Sequence, residues 1–240
     1  MRSLLTYAVS RLAQGSALLR RLAGPRQRIK LLLICGPWGS GTTAVAGMVA
    51  RLGTDTIEPY YTTSDPRTRN SYESLPFLKI VQRYASERTL KRKVPSERIV
   101  AALSDFHDRI ARGEFGRRER RNPAPIFLKC PVSALLLPEI CAVFDTQLVY
   151  VNRPLEDIEK TRMRRMWSEQ YGRAGAELIY RVMDSFKQWF PKPILLVEYE
   201  DLLAFPDQGA LAIARFAGLN PSPAALLDAT NFVRPDRGEN

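Results

Sequence analysis

The 240-residue chain is expected to fold as an α/β protein, with a central parallel β-sheet flanked by helices. Three observations predict this. Four short apolar runs, Lys30–Cys35, Ile126–Lys129, Gln147–Asn152 and Pro193–Val197, have the unbroken hydrophobicity of strands buried on both faces. Stretches with helical spacing separate the runs, so they succeed one another as βαβ units. The first run passes directly into a glycine-rich loop and then a helix. In such a fold, ligands sit at the carboxyl ends of the strands.

The elements follow in order. Residues 1–28 read as a basic amphipathic helix, with Leu4, Leu5, Ala8, Leu12, Leu18, Leu19 and Leu22 at roughly helical spacing and Gly24-Pro25 as its end. It either packs on the domain edge or lies on a membrane surface. Residues 1–29 are therefore set apart from a single domain over 30–240. After the first strand, Thr42–Leu52 is a helix and the polar residues 55–70 form a loop. Ser71–Ser86 and Ser96–Arg112 are helices, and Arg117–Pro125 is an exposed, mobile linker. Ser133–Val143 follows the second strand as a helix, and a helix from Leu155 follows the third. Gly172–Phe190 is helical. Two short helices, Asp207–Ala217 and Ser222–Thr230, follow the fourth strand.

Composition narrows the function classes. Apolar residues make up 45% and charged residues 25%, ordinary for a globular chain. One histidine, His107, excludes a multi-histidine metal site, and the three cysteines have no metal-ligand spacing. Free thiols suit a reducing cytoplasm. Cys35 and Cys141 are expected in the core, and Cys130 near the site and accessible. The net charge is +11, and residues 1–54 hold eight basic residues and no acid. That asymmetry suits an anionic ligand, a membrane surface or nucleic acid, but no nucleic-acid motif supports the last. The uncharged run Leu31–Ala50 has the length of a membrane span, but its glycines, proline and hydroxyls make it a strand, a loop and a helix start.

Gly36-Pro37-Trp38-Gly39-Ser40-Gly41-Thr42-Thr43 is a phosphate cradle. Glycines let backbone N–H groups approach an anion, the next helix points its positive end at the same spot, and two threonine hydroxyls add donors. Gly36 and Gly41 have the spacing of the nucleoside-triphosphate loop, but Thr42 stands at the lysine position, and no apolar run ends in a Mg²⁺-binding Asp. An ATP or GTP hydrolase is therefore disfavoured.

The same segment resembles the 5′-phosphosulfate loop of PAPS-dependent sulfotransferases, in which Ser40-Gly41-Thr42-Thr43 match the [KR]-S-G-T-[TS] core. The run LVYVNRPLEDIEKT resembles the family's 3′-phosphate element, with Arg153 at a strand end and Thr161 eight residues on. Arg supplies a bidentate charge and Thr a neutral donor. Asn70–Glu73, Phe127–Pro138 and Val197–Leu203 resemble three further family elements in the correct order, so the likeness spans about residues 30–238.

The resemblance implies a P-loop-like sulfotransferase architecture, PAPS as co-substrate, no metal, and an acceptor that is a glycan, lipid or small molecule. Trp38, Gly39, Ser40, Gly41, Thr42 and Thr43 line the 5′-phosphosulfate. Trp38 stacks on adenine, walls the sulfate site or packs in the core. Arg153 and Thr161 hold the 3′-phosphate, with Arg234 and Arg237 closing over it. Glu73 is the candidate general base, and His107 competes with it from what reads as a solvated helix face. The departures are Gly39 where the family has Lys or Arg, and Cys130 and Val132 where it has Asp and Arg. Lys129 is the candidate for the missing charge, with Arg67, Arg162 and Arg234 as other sources. Three other readings remain: a nucleotide-binding relative without transfer activity, a P-loop kinase, and a basic membrane-binding protein.

Overall fold

The computed structural model describes residues 18–24, 27–63, 70–115 and 124–233. Residues 18–23 are helical, with Leu19 and Ala23 buried against the main core. Residues 1–17 and 25–26 of the amphipathic segment lie outside the described residues, as do 117–123 of the expected linker. β1 (Lys30–Cys35) leads through the glycine-rich loop into α1 (Thr42–Arg51).

The expected loop over 55–70 and helix from Ser71 are corrected here. β2 (Tyr60–Thr62) and β3 (Asn70–Ser74) pair antiparallel. Tyr60 packs on Tyr72 and on Phe127, with ring centroids 5.5 and 6.1 Å apart. These are long-range aromatic contacts that local composition does not announce. α2 (Leu75–Tyr84) then begins with Pro76 in its first turn, where the missing N–H costs nothing.

β4 (Ala85–Ser86), β5 (Lys91–Arg92), α3 (Ser96–Ala111) and β6 (Ile126–Lys129) follow. The single helix expected over Ser133–Val143 is instead a 3₁₀ turn, Pro131–Leu136, followed by α4 (Leu137–Val143). The ring of Pro138 is incompatible with a continuous α-helix through the carbonyl four residues earlier. β7 (Asp145–Asn152), α5 (Leu155–Arg164) and α6 (Arg173–Lys187) stand close to their expected places. β8 (Ile194–Glu198) is followed by α7 (Tyr199–Ala204), a helix not anticipated, and then by α8 (Pro206–Ala217) and α9 (Pro223–Val233).

The main sheet has the order β6-β1-β7-β8, and every pairing is parallel. Both its faces are covered. Leu31, Leu33 and Cys35 of β1 belong to the core shared with α2, α3, α4 and α6. Leu32 and Ile34 point to the opposite core with α1, α8 and α9. The alternation follows from the two-residue period of a strand. Leu31 to Ile34 have no solvent exposure, and such burial stabilises by roughly 1.5–3 kcal/mol per side chain.

Among the described residues, no helix is long and apolar enough to cross a membrane. Cys35 and Cys130 are buried, which corrects the expectation that Cys130 is accessible. Cys141 is half-buried and packs against the main core. Burial pushes all three thiols up, Cys141 to about 12.

His107 corrects a second expectation. It lies within the core rather than on a solvated face, 3% exposed. Its Nε2 accepts from the Ile29 N–H at 3.3 Å, so Nδ1 carries the proton toward Asp108 Oδ1 at 3.0 Å. Ile29 precedes β1, whereas the glycine-rich loop follows it. At roughly 3.3 Å per residue, the strand separates them by about 20 Å. His107 therefore does not reach the loop. His107→Ala leaves the Ile29 N–H without its acceptor, and unfolding should become easier by about 1–3 kcal/mol. The expected melting temperature falls while turnover per folded molecule stays unchanged. Loss of turnover at unchanged stability would contradict this placement.

Candidate active site

Four neighbouring strands deliver the site from their carboxyl ends. β1 ends in the glycine-rich loop, β6 in Lys129, β7 just before Arg153, and β8 just before Tyr199. The parallel order makes these ends coincide, although they are far apart in the chain.

The loop leaves backbone donors at the start of α1. Gly41 caps α1 with φ +94°, and no side chain caps the helix. The first helical N–H groups are therefore left for an external partner. Ser40 is fully buried, and its hydroxyl donates to the Pro37 carbonyl at 2.7 Å. It shapes the turn from within. Thr42 is buried and Thr43 half-buried at the helix start. A Cβ on Gly41 would lie 2.1 Å from the Tyr199 ring. Gly41→Ala thus meets both a left-handed backbone and a ring. The backbone term alone costs roughly 1–2 kcal/mol, so the melting temperature should fall by several degrees or more. An unchanged melting temperature would show that the loop and Tyr199 are not packed as described.

On one side of the loop stands a charged cluster. Lys129, 3% exposed, donates from Nζ to Glu73 Oε1 at 2.8 Å, Thr43 Oγ1 at 3.1 Å and the Ser71 carbonyl at 3.1 Å. Glu73 is positioned by a kink. Tyr72 has φ +56°, uncommon for a residue with a side chain. The Tyr72 N–H donates to Asn70 Oδ1 at 2.8 Å, and the Glu73 N–H donates to Ser71 Oγ at 3.2 Å. Ser71 Oγ donates to the Tyr61 carbonyl at 2.8 Å, tying the kink to β2.

On the other side stands Arg153. Its Nη1 donates to the Gly39 carbonyl at 3.0 Å and to Thr161 Oγ1 at 3.1 Å. Nε donates to Glu200 at 3.0 Å, and the guanidinium lies 4.8 Å from the Tyr199 ring centre. Thr161 is buried, and its hydroxyl donates back to the Asp157 carbonyl at 2.9 Å. Gly39 has φ +77°.

A cleft of about 350 Å³ opens between the loop and the Lys129 cluster, lined by Trp38, Gly39, Thr42, Thr43, Glu73 and Lys129 among others. Trp38 is half-buried and meets Tyr171 edge-on, with ring centroids 4.7 Å apart. It walls the cleft. Of the other proposed charge sources, Arg162 is engaged by Glu159 at 2.6 Å, and Arg67 and Arg234 lie outside the described residues, as does Arg237. Val132, like Cys130, is buried and carries no charge to the cleft.

The chain matches the model of the sulfotransferase family over residues 32–223. It belongs to that family. The sulfotransferase domain of the olefin synthase of Synechococcus PCC 7002 is similar in structure: TM-score 0.51, 18% identity, covering 85% of this chain and 79% of that one. Sulfotransferase STF1 of Mycobacterium tuberculosis H37Rv has a TM-score of 0.55 at 15% identity, covering 91% and 75%. At these identities the likeness shows the fold. None of the curated proteins matches the chain.

Several lining residues escape sequence reasoning: Tyr61, Gln82, Glu87, Arg165, Trp167 and Tyr171. Only the aromatic pair Trp167 and Tyr171, set in a polar stretch, carries a signal. Tyr199 belongs to the Val197–Leu203 element, and the structure supplies its physical use, since its ring covers Gly41 and Arg153.

Proposed function

We propose that this chain transfers a sulfuryl group from PAPS to a hydroxyl or amine of an acceptor. One observation carries the reading: two anion-binding features adjoin at Gly39. One is the uncapped helix start of α1; the other is the Arg153–Thr161 pair, whose Arg153 donates to the Gly39 carbonyl. A nucleotide with phosphate groups at both ends needs two such features. Gly41, Thr42 and Thr43 would hold the 5′-phosphosulfate, and Arg153 with Thr161 the 3′-phosphate.

The chemistry follows from the Lys129 cluster. The acceptor oxygen or nitrogen attacks sulfur in line, and the bond from sulfur to the nucleotide's phosphate oxygen breaks. The acceptor proton passes to Glu73, and PAP leaves with the bond's electron pair. While Glu73 is ionised, it offsets the Lys129 charge 2.8 Å away. Once Glu73 is protonated, that charge is unopposed and stabilises the departing oxygen. Lys129 thus takes over the role that the loop cation plays elsewhere in the family and that Gly39 lacks here. The substituted positions Gly39, Cys130 and Val132 support a second reading, a relative that binds the nucleotide without transferring it.

We further read residues 30–240 as one unit, with the basic leader as a peripheral membrane contact and the free cysteines in keeping with a reducing cytoplasm.

Calorimetric titration with PAP, alongside ATP–Mg²⁺, tests the reading. Micromolar binding of PAP and none of ATP is the expected result, and sulfate transfer from PAPS then separates the two readings. Preference for ATP, or no PAP binding, overturns both.

A further inference from the structure

A second concavity lies on the far face of α2. Leu78 and Gln82 of this helix line the active-site cleft. Leu75, Pro76, Lys79, Ile80, Arg83 and Tyr84 instead line a groove of about 950 Å³ shared with α3. The split follows the helical period, which places residues three and four apart on one face. From α3 the groove takes Arg98, Ala101, Ala102, Asp105 and Arg109, again a single stripe.

Its chemistry is sorted. Ala101 and Ala102 contribute only methyl groups, which leaves a trough between the helices. Leu75, Ile80 and Val94 make it apolar. Lys79 and Arg83 stand on one bank, Arg98 and Arg109 on the other, against a single acid, Asp105. Among the described residues, Lys79, Arg83 and Arg98 have no ion-pair partner. Lys79, Arg83 and Arg98 are exposed. Arg109 is paired with Glu114 at 2.7 Å. Unpaired cations flanking an apolar trough favour a ligand with an apolar body and an anionic head. They also disfavour the chain's own basic segments, since residues 1–17 and 116–123 carry arginines in excess of acids.

We propose that this groove binds an anionic single-chain amphiphile, an alkyl or acyl chain ending in a carboxylate or a similar anion. The chain lies along Ala101 and Ala102, and the head is held by the cations of the banks. The volume is within the range of small-ligand sites. The groove is separate from the phosphate loop, and the proposal does not rest on sulfate transfer.

The test is calorimetric titration of the full chain with oleate below its micelle concentration. Uncharged dodecyl maltoside and inorganic phosphate serve as the two half-ligands. Saturable 1:1 oleate binding is expected, with neither half-ligand binding comparably. The double substitution Lys79→Glu with Arg98→Glu, both on exposed positions, should weaken oleate binding by about tenfold or more. Ala102→Phe, which fills the trough, should abolish it. PAP titration of the same variants should be unchanged, so failure here is distinct from failure of the transferase reading. No oleate binding, equal binding by the variants, or maltoside binding as tight as oleate would each overturn the proposal.

Discussion

Lys129→Met is expected to lower turnover by about 10²–10³-fold, the usual effect of losing one preorganised donor to developing charge. PAP affinity should change far less, because the loop amides and Arg153 remain. Turnover is read as PAP formed from PAPS with an acceptor present, or as slow loss of sulfate to water. The substitution also leaves Glu73 without its partner in a site where it is only 14% exposed. Breaking such a buried pair costs roughly 3–5 kcal/mol, so the single variant should melt early. Adding Glu73→Gln removes the stranded charge. The double variant should regain most of the stability and none of the turnover, and that split shows that the Lys129–Glu73 pair is lost as chemistry and not as fold. If Lys129→Met keeps turnover within a few-fold, the charge on the leaving oxygen comes from elsewhere.

Arg153→Ala is expected to lower PAP affinity by about 10²-fold or more, since hydrogen bonds to charged groups contribute roughly 1.5–3 kcal/mol each and Arg153 offers several. The guanidinium also ties Gly39 to Thr161 and lies over Tyr199. Part of the loss therefore comes through the loop itself. Arg153→Lys should rescue poorly, because an ammonium cannot donate in two fixed directions to the Gly39 carbonyl and the Thr161 hydroxyl while facing a phosphate. Thr161→Val, which removes only the hydroxyl, should show a smaller loss of the same kind. Unchanged PAP affinity in Arg153→Ala would remove the 3′-phosphate assignment and leave the loop as a simpler anion site.

Where sequence and structure agree, the signals are local. β1, β6 and β7 are legible because strands covered on both faces need runs of apolar residues, and β8 carries such a run too, although as an edge strand it buries only Val197. The glycine-rich loop is legible because the turn needs glycine at Gly39 and Gly41, both at positive φ. Arg153 and Thr161 are eight residues apart, two turns of one helix and its entry, so their meeting at 3.1 Å is a local matter as well.

Where they part, the deciding contact is distant in sequence. His107 sits among charged residues and reads as exposed, but α3 packs so that its ring accepts from Ile29, 78 positions away. Cys130 follows the candidate Lys129 and reads as accessible, but the peptide turns it into the core while Lys129 faces the loop. β2 and β3 owe their existence to Tyr60, Tyr72 and Phe127 packing together.

By itself the sequence determined the α/β class, the strand order along the chain, the glycine-rich loop between β1 and α1, and the meeting of Arg153 with Thr161 beside it. It did so because backbone conformation and alternating burial depend on near neighbours. Only the tertiary structure decided that Lys129 and Glu73, 56 positions apart, form one ion pair against Thr43. It also decided that Tyr199 closes over Gly41 and that α2 separates the cleft beside the glycine-rich loop from a cationic groove. These arrangements depend on which strands lie side by side, and the packing of the whole chain sets that order.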